Sequence, residues 1–284
     1  MKKIEQGTKF IEAHTQVFQC PTCHRAYEQV EGHSLVCPNG HRMDLNKKGT
    51  LNFLNRTVDT EYDDGMLEAR RHVLSEGLFD GIIQTVADAL EPHEQTILDI
   101  GTGEGSPLAK LLALRGEQDT GIGFDISKAG VNLATQLPTQ AFFMVADLAH
   151  LPLADASIDT IVEFFSPSAY DEFDRVLKDG GRLIKVIPNA GYLHELREML
   201  YPVDSPNHTY SNEKVLARFM ERYPNANRIE TTYQWQIPTD CYVDLLHMTP
   251  LHWGARPEAQ KLAETSPISN VTVDVTVLIV ENMG

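Results

Sequence analysis

Three of the four cysteines in the sequence lie close together, in a pattern that suits a metal ion. Cys20 and Cys23 are separated by two residues, and thirteen residues later the segment Cys37-Pro-Asn-Gly-His41 supplies another thiol and an imidazole. Two short turns of this kind can present four soft or borderline ligands to one centre, and the Cys₃His set is typical of tetrahedral zinc. The spacing therefore predicts a Zn²⁺ site made of Cys20, Cys23, Cys37 and His41.

The other histidines near this cluster are weaker ligand candidates. His24 directly follows Cys23, where coordination would strain the turn, and His33 lies in the segment that connects the two turns. A metal with four protein ligands has no open position for a substrate water, so the predicted site is structural. Cys241 stands alone in the sequence and is interpreted as a small buried apolar side chain.

A second group of glycines and carboxylates follows three consecutive apolar segments. Its members are Asp99, Gly101, Gly103 and Glu104 at the first segment, Asp125 at the second and Asp147 at the third. Glycines let a ligand approach the backbone closely, and a carboxylate after the second strand can accept hydrogen bonds from ribose hydroxyls. A dinucleotide-binding loop would carry its third glycine at position 106, where this chain has Ser106. The group predicts a nucleoside-containing cofactor.

The elements that must position these residues alternate along the chain. Short apolar runs predict strands at Thr96–Ile100, Thr120–Phe124, Gln140–Val145, Thr160–Phe165, Gly181–Ile187 and Val271–Val280. Helical patterns begin at Gly65 and lie near Pro107–Arg115, Lys128–Gln136, Tyr170–Leu177 and Asn212–Arg222. This alternation favours a parallel sheet of about six or seven strands with helices on both faces. Because the carboxyl ends of such strands meet at one edge, we expect the second group to converge on one crevice.

Composition and length agree with a globular α/β protein that carries a small appendage. Of the 284 residues, 42% are hydrophobic and 23% are charged. No apolar run approaches the roughly 18 residues of a membrane-spanning helix, and the charged N-terminus lacks the apolar stretch of a secretory signal. We therefore expect a cytoplasmic protein without a membrane partner.

The charge is unevenly distributed between the two ends of the chain. The net charge is −16, but residues 1–56 contain eight basic and five acidic residues, a balance of +3 that leaves −19 for the rest. We expect residues 1–56 to form the metal-binding module, residues 57–64 (TVDTEYDD) to be a linker and residues 65–284 to form the α/β domain. An acidic body opposes general binding to DNA, whereas a basic module permits local contact with phosphates.

The motifs together resemble a known family. DIGTGEG, GIGFDIS, VADLAHLP and FDRVLKDGGRLIKVIP resemble the motifs of class I methyltransferases. CPTCH, CPNGH, LEARRHVLSEGLF, FFSP, PNAGYLHEL and HMTPLHWGARP extend the resemblance, over nearly the whole chain, to the bacterial 23S rRNA (guanine-N1)-methyltransferases. The resemblance implies a class I methyltransferase fold, a doubly wound α/β sheet, with a small N-terminal zinc-ribbon-like module.

The resemblance also implies an activity and its partners. The expected reaction is methyl transfer from S-adenosylmethionine to N1 of a guanosine in a hairpin loop of 23S rRNA. The expected assembly is a homodimer whose zinc modules flank an RNA-binding cleft. The family's zinc ligands fall on the four residues named above, and its cofactor contacts fall on Gly103, Glu104, Phe79 and Tyr192. Phe79 and Tyr192 stand where relatives have a tyrosine and a histidine.

The catalytic base is left open by the sequence. Guanine N1 carries a proton and lies on the Watson–Crick edge of the nucleobase. The target guanine must therefore be unpaired, and a group of the enzyme must accept the N1 proton. Glu163, Asp159 and His247 are the candidates. Two other functions remain as alternatives: a small-molecule methyltransferase with a structural zinc cap, and a non-catalytic zinc-dependent RNA-binding protein. The intact DIGTGEG loop and Asp125 count against the second alternative.

Overall fold

The computed structural model describes residues 1–54 and 63–281 of the chain. They form two compact units, the first from the described residues of 1–61, 90–184 and 281, the second from those of 62–89 and 185–280. Most of the predicted linker, residues 57–62, lies outside the described residues, so the division at positions 56 and 64 stays a prediction. Within the described ranges, no helix combines the length and apolar character that crossing a membrane requires.

The N-terminal part of the first unit is a small helical and antiparallel structure. It contains helix α1 (Lys3–Ala13), a 3₁₀ turn (Thr15–Val17) and strands β1 (Gln29–Glu31), β2 (Ser34–Val36), β3 (Arg42–Asp44) and β4 (Leu51–Asn52). Strands β1, β2 and β3 pair in that order, antiparallel. Helix α1 lies against the turn after β3: a Cβ on Gly7 would come within 2.5 Å of the Gly49 carbonyl oxygen. Glycine at position 7 is therefore required by this close approach.

The rest of the first unit is an α/β sheet. Its elements are β5 (Thr96–Ile100), α4 (Ser106–Leu114), β6 (Thr120–Asp125), α5 (Lys128–Ala134), β7 (Phe142–Val145), β8 (Ile158–Phe164), α6 (Tyr170–Val176) and β9 (Leu177–Pro188). The strand order is β9-β8-β5-β6-β7-β4, and β5 pairs in parallel with both β6 and β8. Every residue of β7 is buried, as expected for a strand covered on both faces. The predicted doubly wound sheet is confirmed.

Strand β4 joins this sheet although the sequence does not predict it. Leu51 pairs in parallel with Met144 of β7, and the Phe53 amide donates to the Val145 carbonyl at 2.9 Å. Two residues are too few for a hydrophobic period to be recognised. Two further strands, β10 (Asn227–Gln236) and β11 (Asn270–Glu281), continue the order beyond β9. The sheet therefore has eight strands among the described residues, and the predicted count of about six or seven is wrong.

The second unit is mainly helical and has an antiparallel strand pair. Its elements are α2 (Asp64–Ser75), α3 (Asp80–Asp88), the last residues of β9, α7 (His194–Leu200), α8 (Glu213–Arg222), β10 (Asn227–Gln236), α9 (Tyr242–His247), α10 (Pro250–Trp253), α11 (Pro257–Thr265) and β11 (Asn270–Glu281). The predicted helices at α2 and α8 and the closing strand β11 are confirmed. Strand β10 pairs with β11 from Asn227↔Ile279 to Gln236↔Asn270. Its outward residues are polar and mostly exposed, so no apolar run marks it in the sequence.

Candidate functional site

The predicted metal ligands lie together in the structure. The Sγ atoms of Cys23 and Cys37 are 3.6 Å apart, and His41 Nδ1 lies 3.5 Å from Cys20 Sγ and 3.4 Å from Cys37 Sγ. Zinc bonds of about 2.3 Å to sulfur and about 2.0–2.1 Å to nitrogen place tetrahedral ligand atoms about 3.6–3.8 Å from one another. The four side chains therefore have the spacing that one tetrahedral zinc ion needs.

Two backbone turns produce this spacing. The Cys20 amide donates to the Arg25 carbonyl, and the Cys37 amide donates to the His41 carbonyl, so each pair of ligands closes a short loop. Gly40 has φ of +77°, a conformation that favours glycine. A backbone hydrogen bond at Arg25 lowers the pKa of Cys23, whereas burial raises the pKa of Cys37. A bound dication would favour the thiolate at each position.

The rival histidines are not part of the cluster. His33 Nδ1 lies 2.7 Å from the Thr8 hydroxyl, so α1 holds this ring. His24 has φ of +55°, a left-handed backbone conformation that is uncommon for residues other than glycine. Neither residue is among the four whose ligand atoms lie within 4.8 Å of one another.

A second group of ligand-type side chains lies in the second unit. His72, Asp240 and Cys241 have ligand atoms within 4.8 Å of one another, and Asp244 bonds His72 Nδ1 at 2.6 Å. Cys241 Sγ is 3.5 Å from His72 Nε2 but also 4.0 Å from Nδ1, so the sulfur lies beside the ring and not along the Nε2 lone pair. The arrangement as it stands does not suit a shared metal. Cys241 is fully buried, as expected, and burial raises its pKa to about 11.

The glycine loop leaves β5 at the carboxyl edge of the first unit's sheet. Gly101 and Gly103 have φ of +65° and +55°, so the backbone reverses without side chains at these positions. Gly101 is exposed and Gly103 is partly exposed. Next to this loop the chain order changes direction, because β6 lies on one side of β5 and β8 on the other. This is the switch point at which open α/β sheets bind ligands.

Asp125 connects the loop to the end of the neighbouring strand. Its Oδ2 accepts the Gly103 amide at 2.8 Å, and its Oδ1 accepts the Ser127 amide at 2.7 Å. Each carboxylate oxygen can accept more than one hydrogen bond, so these two bonds do not prevent Asp125 from accepting a ligand hydroxyl. The side chain is partly exposed at the crevice. It can therefore hold the loop and bind a ligand at the same time.

Asp99 and Glu104 support the loop from beneath. Asp99 is 1% exposed and accepts the Thr102 hydroxyl at 2.6 Å. Glu104 is fully buried, and its carboxylate accepts the Ser106 hydroxyl at 2.5 Å at the start of α4. Both carboxylates thus accept hydroxyl groups of the loop or of the first residue of α4, and their direct contact with a cofactor stays a prediction.

The third and fourth strands add acids and a hydroxyl at the same edge. Asp147 follows β7, is partly exposed and accepts the Ala149 amide at 2.9 Å. After β8, the Ser166 hydroxyl donates to the Ile100 carbonyl at 2.6 Å and joins this turn to the glycine loop. Phe165, just before it, has φ of +62°, which is strained for a bulky residue. Thr102 and Ser127 were not predicted as site residues, although their partners Asp99 and Asp125 are close in sequence. The bond from Ser166 to Ile100 spans 66 residues and depends on the pairing of β5 with β8.

The three candidate bases lie in different places. Glu163 is fully buried near the end of β8, and its two oxygens accept the Ser168 hydroxyl at 3.0 and 3.1 Å. Asp159 begins the same strand, where it accepts the Thr96 amide and pairs with Lys178 at 2.8 Å. Asp159 is therefore at the edge of the sheet opposite to the glycine loop. His247 is exposed on α9 in the second unit.

Phe79 and Tyr192, the remaining predicted cofactor contacts, belong to the second unit. Phe79 precedes α3, is 1% exposed, and has the Arg70 guanidinium 5.3 Å from its ring centroid. Tyr192 is partly exposed, and desolvation raises the pKa of its phenol. Their contact with a cofactor stays a prediction.

The part of the chain that contains the crevice matches a known family of protein domains. A family model described as a methyltransferase domain matches residues 92–234, which include every predicted cofactor residue of the first unit and Tyr192. Among solved structures, a SAM-dependent methyltransferase from Aquifex aeolicus is 17% identical with a TM-score of 0.45, over 78% of this chain and all of that one. A similarity of this size supports no conclusion about function.

Two relatives match almost end to end. A Bacillus subtilis protein provisionally named as a 23S rRNA (guanine-N1)-methyltransferase, YxjB, is 38% identical over 93% of this chain and 96% of its own length. The 23S rRNA (guanine(748)-N(1))-methyltransferase of Streptomyces fradiae is 30% identical over 91% of this chain and 94% of its own. Similarity of this extent reaches well beyond the methyltransferase domain, and the chain therefore belongs to the 23S rRNA (guanine-N1)-methyltransferase family.

Proposed function

We propose that this protein transfers a methyl group from S-adenosylmethionine to N1 of a guanosine in a hairpin loop of 23S rRNA. The observation that carries the proposal is the similarity to the B. subtilis and S. fradiae proteins over more than nine-tenths of the chain. Matches confined to a methyltransferase domain would support only methyl transfer, whereas these matches extend well beyond the domain at residues 92–234.

The crevice has the chemistry that the cofactor needs. S-adenosylmethionine supplies an electrophilic methyl group on a sulfonium. Gly101 and Gly103 leave the loop free of side chains at the crevice, so the cofactor can lie against the backbone. Asp125 would accept the ribose hydroxyls, and Asp147 would meet the adenine edge. The protein's part is to hold the donor in line with the acceptor nitrogen.

The cysteine cluster fits Zn²⁺ with a structural role. Four ligand atoms at tetrahedral spacing leave no coordination position for substrate. Cys20 and Cys37 are almost fully buried, so without a metal their thiols would be enclosed at short distance from one another. We infer that Zn²⁺ holds the two turns together and thereby shapes residues 17–45.

Glu163 is our candidate for the group that accepts the guanine N1 proton. It is the candidate base that lies at the carboxyl edge of the first unit's sheet, on the strand that leads to the Ser166 turn. The Ser168 hydroxyl donates to both of its oxygens and fixes the orientation of the carboxyl group. Glu163→Gln should lower kcat strongly while leaving cofactor affinity within about twofold.

The proposal is tested with labelled cofactor and 23S rRNA that lacks the modification. We expect label in the RNA and a new reverse-transcription stop at one guanosine, because an N1 methyl group blocks base pairing. Label that enters small molecules of a cell extract but not the RNA would replace the proposal by the small-molecule alternative. The expected dimer and the division of the chain at residues 56 and 64 are tested by sedimentation and limited proteolysis.

A further inference from the structure

A cavity of about 880 Å³ opens in the first unit at the edge of the sheet opposite to the crevice. Its walls come from α1, the turn at residues 48–50 and the amino ends of β6 and β7. Thr120, at the start of β6, lines the cavity, whereas Asp125, at its end, lines the crevice. Five residue steps at about 3.3 Å each separate the two by about 17 Å. The cavity is thus distinct from the cofactor site.

The cavity collects positive charge in a chain whose net charge is −16. Lys3, Lys9 and Lys48 line it, and all three are exposed. The acidic residues in its wall are Glu117 and Asp119. Asp119 is buried and pairs with Arg115 at 2.7 Å, so its charge is neutralised. The lysines therefore outnumber the remaining carboxylate three to one.

Three neighbouring rings, those of Phe142, Phe10 and His14, form a column in the same wall. The centroids of Phe10 and Phe142 are 4.6 Å apart with nearly parallel planes, and His14 lies 4.6 Å from Phe10 on α1. His14 is partly exposed, and burial lowers its pKa, an effect that Glu94 opposes. The outer ring of the column is therefore neutral at physiological pH. Flat neutral rings beside ammonium groups are typical of surfaces that bind single-stranded nucleic acid.

We propose that this cavity is a second RNA site, which binds the phosphodiester backbone and a neighbouring unpaired base of the substrate. Its volume is within the range of ligand pockets and exceeds the needs of a single phosphate. Three lysines line it and can bind phosphates, and the ring column offers a stacking surface. This inference rests on the proposed function, because it takes the ligand to be the RNA that is methylated.

The test compares two triple variants of the full chain with equal changes in charge. Lys3→Gln/Lys9→Gln/Lys48→Gln removes the lysines of the cavity. The matched control, Lys2→Gln/Arg25→Gln/Lys47→Gln, removes three basic residues of the same N-terminal region that do not line it. Affinity for the 23S rRNA hairpin is measured by fluorescence anisotropy across salt concentrations, with cofactor affinity and thermal melting measured in parallel.

We expect the cavity variant to bind the hairpin at least about tenfold more weakly, with a salt slope reduced by about two, since each neutralised phosphate contributes about 0.7. The control should change the affinity by less than about twofold. Cofactor affinity should be unchanged in both variants. His14→Ala, which removes the outer ring, should weaken binding about fivefold or more.

Crosslinking of a 4-thiouridine-labelled hairpin to the wild-type protein gives a readout that needs no variant to fold. Crosslinked peptides from residues 3–14 or 135–143 support the inference, and their absence from a crosslinked complex overturns it. Equal loss of affinity in the two triple variants would also overturn it, because the charge of the region as a whole would then bind the RNA. A wild-type protein that neither binds nor methylates the hairpin would overturn the proposed function as well.

Discussion

Substitution of Asp125 by asparagine separates one observed role of this side chain from one proposed role. The carboxylate accepts the Gly103 and Ser127 amides at 2.8 and 2.7 Å, and we propose that it also accepts the ribose hydroxyls of the cofactor. Asparagine has the same shape but only one acceptor oxygen. In Asp125→Asn one backbone amide loses its charged acceptor, and any hydroxyl that remains bound meets a neutral group.

The two losses have different magnitudes and different readouts. Losing one charge-assisted bond to a backbone amide should lower the free energy of unfolding by about 1.5–3 kcal/mol. A neutral acceptor in place of a charged one weakens each ribose bond by about 1 kcal/mol, hence about 2 kcal/mol for two hydroxyls. That corresponds to a dissociation constant for S-adenosylmethionine that is roughly 30-fold higher.

Calorimetry with S-adenosylmethionine and chemical denaturation measure these two quantities separately. Asp179→Asn, an exposed aspartate outside the crevice, is the control and should change neither. A variant that is destabilised but binds the cofactor with wild-type affinity would refute the cofactor role and leave Asp125 as a support for the loop. A variant unchanged in both respects would show that the hydrogen bonds of Asp125 contribute nothing measurable.

Three further outcomes are expected. Cys20→Ser should lower the zinc content, measured by elemental analysis, from one ion per chain to well below one, because the remaining three ligands hold the metal less tightly. Asp244 raises the pKa of His72, so their contact stabilises the fold fully below the unfolded-state pKa of about 6.5 and loses this effect as pH rises through the folded-state pKa. His72→Gln should therefore be less stable than wild type at pH 5.5 and closer to it at pH 8.5, in melting experiments. Gly130→Ala would place a Cβ 2.7 Å from the Gly103 carbonyl oxygen, and this overpacking should raise the dissociation constant for S-adenosylmethionine about tenfold.

Each of these outcomes has a control. Cys241→Ser should keep its zinc, and metal loss there would mean that unfolding, and not ligand removal, releases the ion. Gly65→Ala places its Cβ 3.5 Å from the nearest side-chain atom and should bind the cofactor normally. An equal stability deficit of His72→Gln at both pH values would show that packing dominates over the ion pair.

Much of the sheet could be predicted because its strands are buried on both faces and read as continuous apolar runs. Strand β5 has the predicted bounds, Thr96–Ile100, and the glycine loop follows it directly. The cysteine cluster could be predicted because metal ligands that share a turn have characteristic, short separations in sequence. These separations can be recognised without knowledge of the fold.

Other features depend on contacts between residues far apart in sequence. The bond from Gly103 to Asp125 spans 22 residues and exists because β5 and β6 pair in register. Strand β10 is polar along most of its length, and its pairing with β11 is visible only in the structure. Asp159 and Glu163 likewise lie at opposite edges of the sheet because of the direction of β8. The identity of the two residues alone does not reveal this direction.

Strand β4 determines what happens when the N-terminal region is removed. It pairs with the outer edge of β7, and the Phe53 amide continues this pairing by donating to the Val145 carbonyl. Without it, the all-buried strand β7 would present open N–H and C=O groups beside apolar side chains, which is the kind of edge that recruits other chains. A shortened protein that begins after β4 should therefore associate through β7 and be poorly soluble. The N-terminal region that carries the cysteine cluster and β4 thus also protects the sheet from aggregation.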